Sequence, residues 1–317
     1  MQNRRELLRR AAAVAVSAAM PALARGTGTI GLGLGNYGLR AFPIGEDIKF
    51  IAQNGYDSVE LTLMPGYVTE PAKVAPQDRR KIKAALAEYD MALPSLLEQI
   101  PILGDTSAHK ANLERIRRDA QFGHDVNAGV GGVVPCVQTH IGGVNKDWEA
   151  QKNLVADRLS EWGEAGRAMT TIVAIKGHNL NLNDNAERSL WLMTKVNSPW
   201  LRHLYDYSHY QAGGDELGKS MDMLLPYTAL ISVKDGKNYT DKPGFERLLP
   251  GDGTIDYVDY YRRLLKFGYS GHTVVEISGQ IHSRPGYDPV VTAKRCYNHL
   301  APAMAKAGVK RPAHRKV

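Results

Sequence analysis

Cysteine is scarce in this sequence of 317 residues, with only Cys136 and Cys296 present. The two lie far apart, with neither the spacing of a thiolate metal site nor that of a redox pair. This pattern argues against a disulfide scaffold and a zinc finger. Both lie in apolar or helix-like stretches, so we expect them to be buried as small hydrophobic residues. A bond between them would need an oxidising compartment, and the sequence leaves their pairing open.

Several catalytic and nucleotide-binding motifs are also missing. The chain has no phosphate loop, nucleophile elbow, CxxC pair or HExxH helix. The run Gly31-Leu32-Gly33-Leu34-Gly35 matches the dinucleotide fingerprint only loosely, because it lacks the third glycine at the required spacing. Glycines of this kind more often make room for a close neighbour of a strand. A dinucleotide site of the Rossmann type is therefore not expected.

A broad basic surface is not expected either, although the formal net charge is +7. Four arginines and one glutamate fall within residues 1–24, and five basic residues without any acid fall within the C-terminal tail, residues 306–317. The part between them is close to neutral. Nucleic acid is thus not a favoured partner, and we interpret the tail as a solvated end.

Long apolar runs are limited to one short segment near the N-terminus. Paired arginines, Arg4 and Arg5, precede Glu-Leu-Leu and the Ala/Val-rich run Ala11–Met20, and Ala22-Leu23-Ala24 offers small residues for a signal peptidase. The run is too short for a comfortable permanent membrane anchor. Residues 1–24 are similar to a twin-arginine signal peptide, which predicts export to the periplasm.

The remaining chain alternates short β-rich runs with longer helical patterns, which predicts a (β/α)₈ TIM barrel as a single domain over residues 25–305. A doubly wound open sheet is the alternative. The predicted strands are Thr29–Leu34, Ser58–Leu63, Ala92–Leu97, Gly132–Val137, Thr171–Lys176, His203–Tyr207, Ala229–Lys234 and His272–Ile277. The predicted helices are Glu46–Asn54, Gln77–Tyr89, Ala108–Val126, Lys146–Ala168, Ala186–Thr194, Asp215–Leu225, Ile255–Phe267 and Pro289–Ala307. Thr254 is the expected N-cap hydroxyl of the seventh helix, and glycines 55, 268 and 308 are expected helix ends.

Polar side chains stand at the predicted carboxyl ends of the strands, where barrels of this kind carry their chemistry. They are Glu60, Glu98, His140, Lys176, His178, Asp206, His209, Lys234, Asp235 and Glu276. Neutral histidines beside acids can exchange hydrogen bonds with a ligand or take a proton. Glu60, His140, His178, His209 and Lys234 are therefore candidate substrate-binding residues.

Five motifs resemble those of the xylose-isomerase-like TIM-barrel family of sugar isomerases and epimerases. They are Tyr56-Asp57-Ser58-Val59-Glu60, Asp206-x-x-His209, Val233-Lys234-Asp235, Gly251-Asp252-Gly253-x-Ile255-Asp256 and Tyr269-Ser270-Gly271 running into Val274-Val275-Glu276. The resemblance covers roughly residues 28 to 305 and implies a divalent metal (Mn²⁺, Mg²⁺ or Co²⁺) held by Glu, Asp, His and Glu. It also implies that the glutamates move a proton between adjacent sugar carbons.

Only half of that ligand set is present. Asp206 and Glu276 match the family pattern, whereas Lys176 stands at the place of the first glutamate and Ser232 at the place of the histidine. Three outcomes stay open. In the first, the Lys176 ammonium occupies the place of the metal and no cofactor is needed. In the second, a metal binds a shifted site that draws on Asp206, Glu276 and His209, with His178 or His140 as a further ligand. In the third, the barrel mouth binds a ligand without catalysing a reaction.

The sequence thus predicts an isomerase, an epimerase or a related lyase that acts on a free sugar or keto-sugar. Glu276 is the expected acid/base, and Lys176 is its electrostatic partner or a second base. The rival hypothesis is a non-catalytic periplasmic sugar-binding protein on the same barrel. A metal-dependent nuclease is a weaker third hypothesis. The expected partner is a small carbohydrate, and a homo-oligomer is compatible with the sequence.

Overall fold

The computed structural model describes residues 28–313. The proposed signal peptide, residues 1–24, lies outside the described residues, as do the last four residues of the chain. No helix within the described range is long and apolar enough to cross a membrane.

Eight parallel strands form a closed barrel, which confirms the predicted (β/α)₈ fold. The strands of the barrel are β1 (Ile30–Gly35), β2 (Ser58–Thr62), β3 (Ala92–Glu98), β4 (Cys136–His140), β5 (Val173–Lys176), β6 (Leu201–Tyr205), β7 (Thr228–Val233) and β10 (Gly271–Val275). Their order around the barrel is β1-β10-β7-β6-β5-β4-β3-β2. The ring closes where β1 pairs with β10, from Ile30 opposite Gly271 to Leu34 opposite Val275. The open-sheet alternative is thereby excluded.

Helices surround the barrel and cover its outer face. They are α1 (Glu46–Gln53), α2 (Pro76–Glu88), α3 (Thr106–Val126), α4 (Trp148–Ala168), α5 (Ala186–Val196), α6 (Tyr207–Ala212), α7 (Leu217–Leu224), α8 (Tyr257–Phe267), α9 (Gly279–His282) and α10 (Pro289–Ala307). Because helices cover them outside and side chains fill the lumen, strands such as β2 and β3 are buried along their whole length. Five neighbouring strands each contribute one buried residue to an apolar cluster that is distinct from the main hydrophobic core. Inward-facing barrel residues form such clusters. The five residues are Cys136, Ala174, Leu204, Leu230 and Val274.

Gly33 shows why the first strand is rich in glycine. A Cβ atom at this position would lie 2.3 Å from the Ser58 hydroxyl on the neighbouring strand. The glycine therefore makes room for a close neighbour, and no nucleotide loop is formed here.

Several predicted boundaries are wrong by a few residues, and three of the differences have a clear local cause. The fourth strand begins at Cys136 and not at Gly132, because Gly131 and Gly132 adopt positive φ angles in a turn before Pro135. The sixth strand ends at Tyr205 and not at Tyr207, because the short helix α6 begins at Tyr207 with Asp206 as its N-cap. The N-cap of α8 is Asp256 and not Thr254: its carboxylate accepts hydrogen bonds from the amides of Val258 and Asp259.

Helix-ending glycines are placed as predicted at Gly268 and Gly308, both in the left-handed region at φ 82° and 87°. Cys136 and Cys296 are buried free thiols, and burial raises the pKa of Cys296 to about 12. The expectation that they act as small hydrophobic residues is confirmed.

The predicted solvated C-terminal end is wrong for Arg311. Its guanidinium donates to the Asp57 carboxylate at 2.7 Å and to the Tyr297 hydroxyl at 3.0 Å. One residue earlier, the Lys310 carbonyl accepts a hydrogen bond from the amide of Ile30 at the start of β1. The Lys310 carbonyl therefore stabilises the start of β1. Arg311 provides the cationic partner that the buried Asp57 carboxylate requires.

Candidate active site

Four charged side chains meet at the carboxyl ends of β5, β6, β7 and β10. Lys176 ends β5, while Asp206, Lys234 and Glu276 each directly follow their strand. All four are buried: Asp206 is fully inaccessible and Glu276 is 9% exposed. The closed barrel brings them together because the carboxyl ends of all its strands lie at one face.

The two ammonium groups bridge the two carboxylates. Lys176 contacts Glu276 directly and lies 3.9 Å from an Asp206 oxygen. Lys234 lies 3.0 Å from Asp206 and 2.8 Å from the other Glu276 oxygen. We refer to Lys176, Asp206, Lys234 and Glu276 as the ion-pair cluster. Each buried charge has an opposite partner, which such burial requires.

Electrostatic attraction within the ion-pair cluster determines the protonation states of Lys176 and Glu276. Burial alone would lower the pKa of Lys176, but Glu276 and Asp206 outweigh it and the pKa rises above its usual value. Burial alone would raise the pKa of Glu276, but Lys176 and Lys234 outweigh it and the pKa falls well below its usual range. At neutral pH the Lys176 side chain is therefore an ammonium and the Glu276 side chain a carboxylate.

From the seventh strand, it is Lys234 that joins the cluster. Ser232 is buried within β7, opposite Val274 of β10, two residues before Lys234. The long Lys234 side chain reaches Asp206 and Glu276. The sequence predicts that Lys234 contacts substrate. In the structure, its contacts with Asp206 and Glu276 are those of an ion-pair partner.

Three histidines form a row beside this cluster. The His140 and His178 ring centres are 5.0 Å apart, and those of His178 and His209 are 4.0 Å apart. Burial, with smaller contributions from the nearby lysines, lowers the pKa of His140 to about 4 and that of His178 to about 3. The rings are therefore neutral at neutral pH and can exchange hydrogen bonds with sugar hydroxyls.

His209 has an orientation set by its neighbours. Its Nε2 atom accepts a hydrogen bond from Lys234 at 3.0 Å, and its Nδ1 atom lies 2.7 Å from the Asn179 side-chain oxygen. His209 thus connects the row of histidines to the ion-pair cluster.

Arg247 is a site residue that the sequence did not reveal. It lies on a short antiparallel hairpin, β8 (Asp235–Asn238) and β9 (Phe245–Leu248), inserted after the seventh barrel strand. Its guanidinium donates to the Ser208 carbonyl at 2.6 Å and to the Asn179 side chain, and lies 2.8 Å from Nδ1 of His209. The run before Arg247 contains lysine, proline and glycine without an apolar alternation, so no local pattern indicated strands.

Glu60 lies in the barrel mouth on β2 and is only 2% exposed. The Ser95 hydroxyl and the Gln138 amide both donate to the same carboxylate oxygen, Oε2. Burial raises the pKa of Glu60 above its usual value, although Lys176 acts in the opposite direction. Glu60 and Glu276 are thus two buried carboxyl groups whose pKa values are moved in opposite directions.

Two other predicted strand-end acids have structural contacts instead. Glu98 pairs with Arg115 of α3 and is buried. Asp235 accepts hydrogen bonds from the backbone amides of Gly236, Gly251, Thr254 and Ile255, and so holds the loop before α8.

The residues present do not fit a divalent metal of the family type. Two of the four groups around the expected position are lysines, and an ammonium cannot ligate a cation. Within residues 28–313 no group of three or more His, Cys, Asp or Glu side chains is arranged to hold a metal ion. The site therefore pairs its carboxylates with ammonium groups of the chain.

A closed eight-stranded barrel with its charged residues at the carboxyl ends of the strands defines a TIM-barrel protein with its site at that face. The chain belongs to the xylose isomerase-like TIM barrel family, whose model matches residues 48–308. Among curated protein sequences, none matches the chain significantly.

Solved structures share this fold at low sequence identity. One is a xylose isomerase-like TIM barrel/4-hydroxyphenylpyruvate dioxygenase fusion protein (16% identity, TM-score 0.69), where 88% of this chain matches 43% of the longer fusion. Another is the 3-keto-D-glucoside 4-epimerase YcjR from E. coli (15%, TM-score 0.67), covering 86% of this chain and 99% of that chain. A third is the IOLI protein with a bound zinc atom (17%, TM-score 0.69), covering 88% and 98%. At these identities the likeness shows the fold.

Proposed function

We propose that this protein is an enzyme that moves a proton next to the carbonyl group of a sugar or keto-sugar, with lysine ammonium groups in place of a divalent metal. The observation that carries the proposal is the position of Lys176 and Lys234 between Asp206 and Glu276 at the barrel mouth. Membership of a family that includes sugar isomerases and epimerases supports it.

The ammonium groups would stabilise the negative charge that develops on the substrate oxygen. Removing a proton from the carbon beside a carbonyl converts that carbonyl into an enolate, with the charge on oxygen. Preorganised donors in a buried site stabilise such a charge strongly, because little water competes. In the proposed complex, Lys176 and Lys234 donate to the sugar oxygen while Asp206 keeps the pair in place.

The two buried glutamates would divide the proton transfer between them. Glu276 is ionised and is the proposed base, and it becomes a stronger base when the substrate oxygen takes over its lysine contacts. Glu60, with its raised pKa, is the proposed acid that returns a proton. When the surroundings of two titratable groups shift their pKa values in opposite directions, the group with the lower pKa is assigned as the base and the other as the acid.

The proposed place of action is the periplasm, on the basis of the paired arginines and the apolar run within residues 1–24. A free sugar or glycoside derivative is then a more fitting substrate than a sugar phosphate. The proposal for location rests on the sequence alone.

Deuterium exchange tests the proposed chemistry whichever product is formed. The protein is incubated with a panel of sugars and keto-sugars in D₂O, and NMR follows deuterium entering the carbon beside the carbonyl. We expect Lys176→Met and Glu276→Gln to slow exchange by about 100-fold or more. Lys219→Met, which removes an exposed lysine of the same charge, is the matched control and should exchange normally.

Two outcomes would overturn the proposal. The first is calorimetric binding of a sugar without deuterium exchange for any member of the panel, which would favour the non-catalytic sugar-binding protein. The second is unchanged exchange in Lys176→Met, which would remove the ammonium from the mechanism.

A further inference from the structure

A cavity of about 380 Å³ lies in the same barrel mouth, on the side of the first three strands. Its walls come from segments that follow β1, β2, β3 and β10, and from α3. Its lining residues are Tyr37, Arg40, Met64, Pro65, Tyr67, Gln99, Arg115 and His282. This volume is within the range of sites for small ligands.

The cavity adjoins the ion-pair cluster. Burial raises the pKa of the Tyr37 hydroxyl; the charge of Glu276 raises it further, and that of Lys176 lowers it. The Tyr37 hydroxyl also lies beside the segment that follows Glu276, since a Cβ atom at Gly279 would lie 3.3 Å from it.

Arg40 gives the cavity a positive charge that no neighbouring acid balances. Its guanidinium carbon lies 4.4 Å from the centre of the Tyr67 ring, a cation–π contact that orients the group. It forms no ion pair with any acid in residues 28–313. Arg115 differs, because it pairs with the buried Glu98.

Aromatic rings and free polar groups accompany this charge. The Tyr37 and Tyr67 ring centres are 5.8 Å apart at an angle of 26°, and the His282 ring packs edge-on against Tyr37 at 4.7 Å. The Tyr37 hydroxyl forms no hydrogen bond with the described part of the chain, and the Gln99 amide lines the same space. A sugar offers both C–H faces for the rings and hydroxyls for these polar groups.

We propose that this cavity binds the carboxylate end of a sugar acid, such as a uronate, with Arg40 as the residue that recognises the charge. A guanidinium matches a planar carboxylate, which carries one negative charge. A phosphate carries nearly two charges and would need a second free cation here. The identity of this ligand as the substrate rests on the proposed function; its binding does not.

Titration calorimetry on the full chain tests the assignment with D-glucuronate, D-glucose and D-glucose 6-phosphate. The first two sugars differ only in the carboxylate at carbon 6. We expect glucuronate to bind about tenfold more tightly than glucose. A tenfold difference in affinity corresponds to the lower end of the free energy that a hydrogen bond to a charged group contributes. The difference should shrink at high salt, because Arg40 is exposed.

Substitutions then locate the charge that is responsible. Arg40→Gln should remove the preference for glucuronate and leave the affinity for glucose within about twofold, while Arg40→Lys should keep part of the preference. Arg80→Gln removes an exposed arginine of α2 outside the cavity and is the matched control. Thermal unfolding of each variant verifies that it is folded.

Equal binding of glucuronate and glucose, or an unchanged preference in Arg40→Gln, would overturn the carboxylate subsite. Tighter binding of glucose 6-phosphate than of glucuronate would replace it with a phosphate site. Failure of the proposed function would give a different result. No sugar would then show deuterium exchange, but the protein would still prefer glucuronate and Arg40→Gln would still abolish that preference.

Discussion

Lys176 determines the charge balance of the barrel mouth. A lysine at this position is acceptable only because Glu276 and Asp206 neutralise it, since an isolated buried ammonium would lose several kcal/mol of hydration. The same side chain keeps Glu276 ionised. Together with Lys234, Lys176 makes the mouth a cluster of ion pairs.

The sequence allowed Lys176, Asp206 and Glu276 to be assigned to one site, because each ends or directly follows a strand of a recognisable barrel. It placed Lys234 at the same rim but did not predict that Lys234 pairs with Asp206 and Glu276. A strand pattern places backbone atoms, but the reach of a four-carbon side chain depends on its rotamer and on the acids that attract it. Arg247 was missed for a different reason: it enters from a hairpin without a sequence signal.

Buried neutral histidines predict a loss of stability in acid. Burial, with a contribution from Arg202, lowers the pKa of His203 to about 3 from its usual 6.5, and its side chain is fully inaccessible. The unfolded chain therefore binds a proton below pH 6.5 that the folded chain does not bind until about pH 3. The stabilisation is complete above pH 6.5 and is lost as the pH falls.

His203→Gln should reduce this dependence. Urea unfolding between pH 6 and 4 should show a slope shallower by up to about 1.4 kcal/mol per pH unit than in the natural protein. Between pH 7.5 and 8.5 the two slopes should agree. Equal slopes in the acid range would mean that His203 titrates normally when folded.

At the scale of elements, the strands and helices of the barrel were largely predictable from their alternation. Local residues displaced two of the strand boundaries, because Gly131 and Gly132 take positive φ angles and Asp206 is the N-cap of a helix. The hairpin β8–β9 could not be predicted. Its strands are four residues each and lack a period of two in hydrophobicity.

The C-terminal segment after α10 stabilises the closure of the barrel. Arg311 donates to Asp57, whose carboxylate also accepts a hydrogen bond from the Leu32 amide of β1 at 2.7 Å. Arg311→Met should lower the free energy of unfolding by about 2 kcal/mol, because a buried carboxylate loses its cationic partner.

Lys310→Met is the matched control for this change. It removes the same charge from the adjacent, exposed side chain and should alter the free energy of unfolding by less than about 0.5 kcal/mol. Urea denaturation at neutral pH measures both. Equal stability of the two variants would show that the contact between Arg311 and Asp57 contributes little.

At the scale of the whole molecule, barrel closure brings residues from distant parts of the chain to one face. Glu60, Lys176 and Glu276 are far apart in sequence, yet β2, β5 and β10 all end at the same rim. A fold of this type supports many chemistries because the strand ends can change while the strands remain. This chain keeps the barrel of its family and replaces half of the expected ligand set.

Elemental analysis of the purified protein tests the central claim most directly. The protein is produced with Mn²⁺, Co²⁺, Mg²⁺ and Zn²⁺ supplied, is freed of loosely bound ions, and is compared with Asp206→Ala and with Glu149→Ala, which removes an exposed acid. An ammonium-paired site predicts far less than one metal ion per chain in all three proteins. One ion per chain in the natural protein and in Glu149→Ala, lost in Asp206→Ala, would contradict it.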